Sequence, residues 1–381
     1  MTKIIRATTV PGSLNNFCRG LLSELKQDGY EIVGLSSPGD DLHEVEEREA
    51  IRCVPVSMER RISPFKDFKS LINLIRIFHR EKPDIVHSMT PKAGLLCMMA
   101  GWITGVPLRV HTFTGLVFPT STGIKRPILM ATDWLTCACA THIIPEGEGV
   151  KNDLINHKIT GKSLKVLGHG NVKGIDLKHF DPQLPEVQSA AAKIRKEGTL
   201  TFISIGRLVG DKGINELVEA FAKINLQYPA TRLIIVGREE KNIDPLKPST
   251  IEEIKRNHAI EAVGQQSDVR PWLAASDVFV LSSYREGFPN VVIEAGAMNL
   301  PSIVTDINGA REIIINGRNG IIVPPRQTDT LRRAMELFVK DPGLAARLAA
   351  EARPLIASRY EQSYVRSCLK EYYNEILNNK Q

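Results

Sequence analysis

Short apolar runs punctuate the chain, and most lead through a polar or glycine-bearing turn into apolar residues at helical spacing. The first run is Lys3-Ile4-Ile5-Arg6-Ala7-Thr8. After Val10-Pro11-Gly12-Ser13, the residues Leu14, Phe17, Leu21, Leu22 and Leu25 recur every three or four positions. Strand, short loop and helix in that order predict the opening of a Rossmann-like half. Residues 31–35 and 51–56 read as further strands. Residues 84–88 and 108–112 do too, and these end in polar residues where open α/β sheets bind ligands. A second half starts at residues 200–205 and continues through 233–237, 278–281 and 301–306. Val278-Phe279-Val280-Leu281 is apolar throughout, as expected of a strand covered on both faces of a parallel sheet. Between the halves, Gly168-His169-Gly170 is followed closely by Pro182 and Pro185. No helix of useful length fits there, which removes a dinucleotide-binding fingerprint.

Ser282 and Ser283 close the 278–281 run, and Tyr284-Arg285-Glu286-Gly287-Phe288-Pro289-Asn290 leads into Val291-Val292-Ile293-Glu294-Ala295. Pro289 suits the first turn of a helix, which is expected to run on through Met298. Glu286 then sits on the loop, and Glu294 lies about 7–8 Å further along at 1.5 Å per residue. Free N–H groups and the positive end of the helix dipole between them can seat an anion. A phosphate seat between two hydroxyl-binding carboxylates suits a nucleotide-sugar. The turn Gly206-Arg207-Leu208-Val209-Gly210-Asp211-Lys212-Gly213 adds two cations between a strand and a helix, a planar fork and a compact charge suited to a diphosphate. Taken singly, a carboxylate reads as solvated or ion-paired and a basic turn as solvated; it is their combination that points to a site.

With 381 residues, 43% of them hydrophobic and 24% charged, two soluble globular domains are expected. A net charge of +6 favours anionic partners but is too diffuse for a nucleic-acid module, since clustered Lys/Arg and interleaved aromatics are absent. The six cysteines (18, 53, 97, 137, 139 and 368) lack metal-ligand spacing, and Cys137-Ala138-Cys139 reads as buried free thiol. Met1-Thr2-Lys3 enters a strand directly with no secretory signal, so a cytoplasmic location is expected. Residues 127–145 carry Asp133 and His142 and read as a buried helix, not a membrane span. Met58 to Lys82 alternates Arg60, Arg61, Lys66, Lys69, Arg76 and Arg80 with Ile62, Phe65, Phe68, Leu71, Leu74, Ile75 and Phe78. That pattern suits either a sheet-packed helix or peripheral contact with an anionic membrane.

The Glu-x7-Glu spacing of Glu286 and Glu294, in its Glu-Gly-Phe-Pro setting, resembles the signature of retaining glycosyltransferases of family 4. Gly-Arg-x4-Lys-Gly at 206–213, Gly174-Ile175-Asp176, Gly317-Arg318-Asn319-Gly320 and Val323-Pro324-Pro325 fit the same pattern, so the resemblance covers nearly the whole chain. It implies a GT-B fold: two Rossmann-like domains across a cleft, residues 1–174 and 175–361, with a final helix at about 362–381 returning to the first. It implies that Glu286 contacts the transferred sugar, that Glu294 holds the ribose, and that Arg207 and Lys212 hold the diphosphate. Gly264, Gly287, Phe288, Pro289 and Asn290 would complete the donor site, with His111 near the sugar and Gly12, Ser13 and Thr112 on the acceptor side. Taken alone, His87 and His111 read as core histidines. The loop 11–13 is poorer in glycine than the family's paired-glycine loop, and Glu148 and Gly149 stand where relatives carry Ser or Thr.

The activity so implied is transfer of a hexose or N-acetylhexosamine from a nucleotide diphosphate sugar, UDP by family frequency, to a glycan. The acceptor would be an undecaprenyl-diphosphate-linked sugar in capsule or lipopolysaccharide assembly, at the inner face of the plasma membrane. No metal cofactor is expected, since fixed cations take its place and no Asp-x-Asp motif is present. A UDP-sugar epimerase of the same fold and a non-catalytic nucleotide-sugar binder are the alternatives.

Overall fold

The computed structural model describes residues 1–60, 63–240 and 244–379. Their contacts separate into two units, Met1–Gly174 with Ser363–Gln381, and Ile175–Gln362. Among the described residues each unit is built on a six-stranded parallel sheet.

In the first unit the sheet runs β3-β2-β1-β4-β5-β6. Its strands are β1 (Lys3–Ala7), β2 (Glu31–Ser36), β3 (Arg52–Pro55), β4 (Ile85–Met89), β5 (Leu108–Phe113) and β6 (His142–Pro145). The connecting helices are α1 (Pro11–Phe17), α2 (Leu21–Gln27), α3 (Asp40–Glu49), α4 (Pro64–Glu81), α5 (Pro91–Ile103), α6 (Lys125–Cys139) and α7 (Glu148–Asn156). The strand order reverses at β1, which pairs with both β2 and β4. Helices α4 to α6 share one core with the sheet through Leu74, Phe78, Leu96, Met98 and Cys137. The opposite face packs α1 to α3 and buries Leu369, Tyr372, Tyr373 and Ile376 of the last helix.

Two readings of this unit change. Gly12 and Ser13 are not in a loop. Pro11 has its φ pre-set for a helix and no N–H to leave unpaired, so α1 starts there after extended Val10. Of the basic stretch, residues 64–81 form α4, while Arg61 and Ile62 lie outside the described residues. Helix α6 is not a buried helix. Asp133, Thr136 and Cys137 face inward, whereas Ile124, Ile128 and Trp134 are exposed. Its apolar residues occupy both sides, and composition alone does not say which side meets the sheet. The thiols of Cys137-Ala138-Cys139 behave as read: both are free and buried, and burial pushes Cys137 up to about 12.

The second unit opens with α8 (Pro185–Ile194) and has the sheet order β12-β11-β10-β7-β8-β9. Its strands are β7 (Leu200–Ile205), β8 (Thr231–Val236), β9 (Ile260–Gly264), β10 (Val278–Leu281), β11 (Ser302–Thr305) and β12 (Gly320–Val323). Helices α9 (Ile214–Gln227), α10 (Pro248–Arg256), α11 (Arg270–Ala274), α12 (Asn290–Ala297), α13 (Ala310–Ile313), α14 (Thr328–Lys340) and α15 (Leu344–Tyr360) complete it. The order reverses at β7, which pairs with both β8 and β10; this is the switch point at which open α/β sheets bind ligands. Helix α12 ends at Ala297, one residue before Met298. It lies tight on α15, where a Cβ on Gly296 would come within 2.7 Å of Ile356. Arg353 of α15 donates to the carbonyls of Leu177, Phe180 and Ala297, the last at the carboxyl end of α12. Finally, α16 (Gln362–Asn378) returns to the first unit.

Candidate active site

The turn after β7 and the turn after β10 emerge side by side, because β7 and β10 are hydrogen-bonded neighbours. Four contacts tie them together. Ser282 Oγ donates to the Lys212 carbonyl at 3.0 Å, and the Tyr284 N–H donates to the Asp211 carbonyl at 2.9 Å. Arg285 pairs with Asp211 at 3.2 Å, and Lys212 Nζ donates to Glu286 Oε1 at 2.5 Å. Gly213 makes this approach possible. Its φ is +67°, and a Cβ there would fall 2.0 Å from the Ser282 carbonyl oxygen.

Glu286 is therefore no solvated loop residue: its side chain is 16% exposed, Lys212 is 22% exposed, and Ser283 Oγ donates to the same carboxylate oxygen at 2.8 Å. Pro289 caps α12 in extended conformation and Asn290 is its first residue, so the amino end of the helix follows directly on the Glu286 loop. Phe288 is buried with its ring edge-on to Tyr360 at 5.5 Å, so the side chain braces the loop. Glu294 lies on α12 between buried Ile293 and Ala295 and is itself half-buried.

On the other side of β7 the surface forms an open cavity of about 270 Å³ bordered by Arg207, Gly237, Arg238, Gln265, Gln266 and Val269. Gly237 shapes its floor, for a Cβ there would fall 1.8 Å from the Gly206 carbonyl oxygen. Gly264 ends β9 with φ +71° and accepts from the Gly237 N–H at 2.9 Å. Arg207 does not stand free, since its Nη1 donates to Glu240 at 2.9 Å. Nothing in the local sequence around Arg207 signals that partner, which is 33 residues away at the end of another strand.

The first unit places its residues differently. His111 is buried, with Nδ1 2.9 Å from Ser88 Oγ and its ring edge-on to Phe113. A Cβ on Gly94 would come within 2.4 Å of the ring. Burial pushes the imidazole down to about 3, so it is neutral at pH 7. Thr112 lies inside β5, and its Oγ1 is 2.7 Å from His87 Nε2. His87 in turn meets Arg6 and the Tyr373 hydroxyl of α16, a buried network that the sequence reading missed. An Arg and a His in neighbouring strands were its only visible signal. Among the described residues no group of three or more His, Cys, Asp or Glu side chains converges as for a metal ion, and no helix is long and apolar enough to cross a membrane.

The family described as "Glycosyl transferases group 1" matches residues 187–354, and the "Glycosyl transferase 4-like domain" matches residues 12–168. The chain is 30% identical over 376 residues to the capsular polysaccharide biosynthesis glycosyltransferase CapM of Staphylococcus aureus, covering 98% of this chain and 97% of that protein. It is also 30% identical over 289 residues to the UDP-Gal:alpha-D-GlcNAc-diphosphoundecaprenol alpha-1,3-galactosyltransferase of Escherichia coli, covering 74% and 73%. In fold it resembles Anabaena HepE, crystallised with UDP, at TM-score 0.82 and 16% identity over 98% of this chain and 100% of that one. The two parallel sheets with flanking helices are those of GT-B glycosyltransferase structures.

Proposed function

The chain belongs to the group 1 glycosyl transferases with a 4-like amino-terminal domain, and on that premise we propose that it moves a hexose or N-acetylhexosamine from a UDP-sugar to a lipid-linked glycan in surface-polysaccharide assembly, with retention at the anomeric carbon. The observation that carries this reading is the stapling of the two turns at the switch point, which puts Lys212 and Glu286 in contact beside the amino end of α12. When the bond from the anomeric carbon to the diphosphate oxygen breaks, the electron pair leaves with the diphosphate. Lys212 and Arg207 offset that charge, the kind of stabilisation that usually contributes most to catalysis. Glu286 and the α12 amino end orient the sugar hydroxyls, and Glu294 holds the ribose. Retention requires the acceptor oxygen to enter on the face the diphosphate leaves. His111, buried in the first unit and neutral at pH 7, has no proton to give as an acid. In this reading fixed cations stand in place of a metal ion.

The proposal includes peripheral contact with an anionic membrane, and exposed side chains support it. Phe65 is 93% exposed and Ile124 82% exposed, with Phe68 and Ile128 exposed beside them. Helices α4 and α6 both start after the carboxyl end of a strand in one parallel sheet, so their amino ends lie along the same edge of the unit. Exposed Lys69, Lys125 and Arg126 share those turns. Apolar tips among cations are what an anionic bilayer surface holds.

The test is UDP release from a panel of UDP-hexoses and UDP-N-acetylhexosamines, with and without a sugar-diphosphate-lipid acceptor. Acceptor-dependent release from one donor, lost in Glu286→Ala and Lys212→Ala, supports the transferase. Isomerisation of the donor without acceptor would replace it with the epimerase, and UDP binding without turnover would leave a binder.

A further inference from the structure

Two guanidinium groups border the 270 Å³ cavity of the second unit, and one carboxylate holds both. Glu240 accepts from Arg207 Nη1 at 2.9 Å through Oε2, and from Arg238 Nη2 at 2.8 Å and Nε at 3.1 Å through Oε1. Glu240 is only 15% exposed, while both arginines keep substantial exposed surface. The formal charge of the three side chains is +1, because one carboxylate serves two cations. Such a group is matched to a ligand that brings more than one negative oxygen.

Resting on the donor reading above, we infer that Arg238 is a second guanidinium of the diphosphate subsite, and that Glu240 occupies both arginines until the diphosphate of the donor displaces it. Each arginine is a planar fork that can donate in bidentate fashion to phosphate oxygens in place of the carboxylate. A diphosphate offers both arginines acceptors at once, whereas Glu240 divides two oxygens between them. Arg238 follows Gly237 at the end of β8, and the close approach of Gly237 to the Gly206 carbonyl keeps the Arg238 and Arg207 turns side by side. Glu240 then acts as an internal competitor, and removing its charge strengthens anion binding.

Calorimetry on the full chain decides this, with UDP, uridine and inorganic diphosphate as probes of wild type, Arg238→Gln, Arg238→Lys and Glu240→Gln. Arg238→Gln is expected to weaken UDP and diphosphate about tenfold, the loss of one charge-assisted contact, and to leave uridine unchanged. Arg238→Lys recovers part of that loss, and Glu240→Gln tightens UDP several-fold. In turnover, Arg238→Gln lowers kcat/KM about tenfold or more, because charge builds on the diphosphate as it leaves. Melting curves like the wild type's establish that the variants fold. UDP affinity independent of Arg238 would overturn the inference and leave the donor reading standing, as would an equal loss for uridine. Weaker UDP binding in Glu240→Gln would make Glu240 a strut for Arg207 and refute the competitor role. Arg238-dependent diphosphate binding without UDP binding would keep the anion subsite and remove the donor reading. A chain binding neither would refute both.

Discussion

Lys212 Nζ lies 2.5 Å from Glu286 Oε1, so the cation proposed for the leaving diphosphate and the carboxylate proposed for the sugar neutralise one another. The pair is only part-buried, and screening keeps its direct worth to stability small. Its importance is functional, because the donor must divide the two groups between its own ends. Lys212→Ala is expected to lower kcat/KM by about 10²–10³, the loss typical of one preorganised donor, and to weaken UDP. Glu286→Gln should lose turnover while binding UDP at least as tightly, since it frees Lys212. Calorimetry beside steady-state kinetics checks both; parallel losses of UDP affinity in the two variants would separate Glu286 from the sugar role.

Gly213→Ala tests the stapling of the two turns. A Cβ at φ +67° is strained by itself, and here it would also meet a backbone carbonyl at 2.0 Å. The loops must separate, at a cost of about 2–3 kcal/mol for a strained backbone position. A lower melting temperature and a transferase rate near that of Lys212→Ala are expected. Wild-type activity would show that the close approach is dispensable.

Arg353 ties the carboxyl end of α12 to the 177–180 turn, donating to one carbonyl of the helix and two of the turn. Arg353→Ala removes the donor from three part-buried carbonyls, at about 0.5–1.5 kcal/mol for each hydrogen bond lost. Urea unfolding should move to lower denaturant, and kcat should fall with it as Glu286 and Glu294 lose their alignment. Arg353→Lys, a point charge without the fork, should recover only part.

The buried titratable groups of the first unit set opposite pH slopes. His111 sits at about 3 in the folded chain against its ordinary 6.5, so the unfolded chain binds more protons between those values. Its contribution is whole above about 6.5 and is lost as pH falls toward 3; His87, lowered by burial and by Arg6, adds in the same direction. Asp133 is raised by burial from 3.8 to about 7, so its contribution is present below 3.8 and lost as pH rises through 7. Asp133→Asn should therefore leave stability unchanged near pH 4 and raise it near pH 8, by an amount on the order of a few kcal/mol at most. Thermal melts at the two pH values decide it; a stabilisation confined to pH 4 would contradict the sign.

Phe65→Ser with Phe68→Ser should abolish co-sedimentation with vesicles containing anionic phospholipid while leaving UDP affinity unchanged. Lys69→Glu should weaken it mainly at low salt, where charge is least screened. Binding that persists in the double variant would place the contact elsewhere.

Much of this architecture is legible in local pattern. The apolar run at 278–281 is β10, Pro289 caps α12 just ahead of its first turn, and Gly213 and Gly237 stand where two backbones converge. Local pattern carries no information about partners brought together by the sheet. Arg207 meets Glu240, and Arg6 meets Tyr373 across 367 residues, only because separate strands end at one edge or one helix returns. Helix α6 failed in another way: with apolar residues on both sides, Ile128 and Trp134 outward and Cys137 inward, periodicity could not choose a face.

The return of α16 has a consequence for synthesis. Tyr373 and Leu369 are interior residues of a unit whose other residues end at Gly174. At the usual 5–20 residues per second, the 188 residues from 174 to 362 take about 10–40 s to emerge. Until then the face of the first sheet meant for α16, with the Arg6 guanidinium at its centre, is uncovered on the ribosome. The second unit is complete at Gln362, so the half that starts first is the half that finishes last.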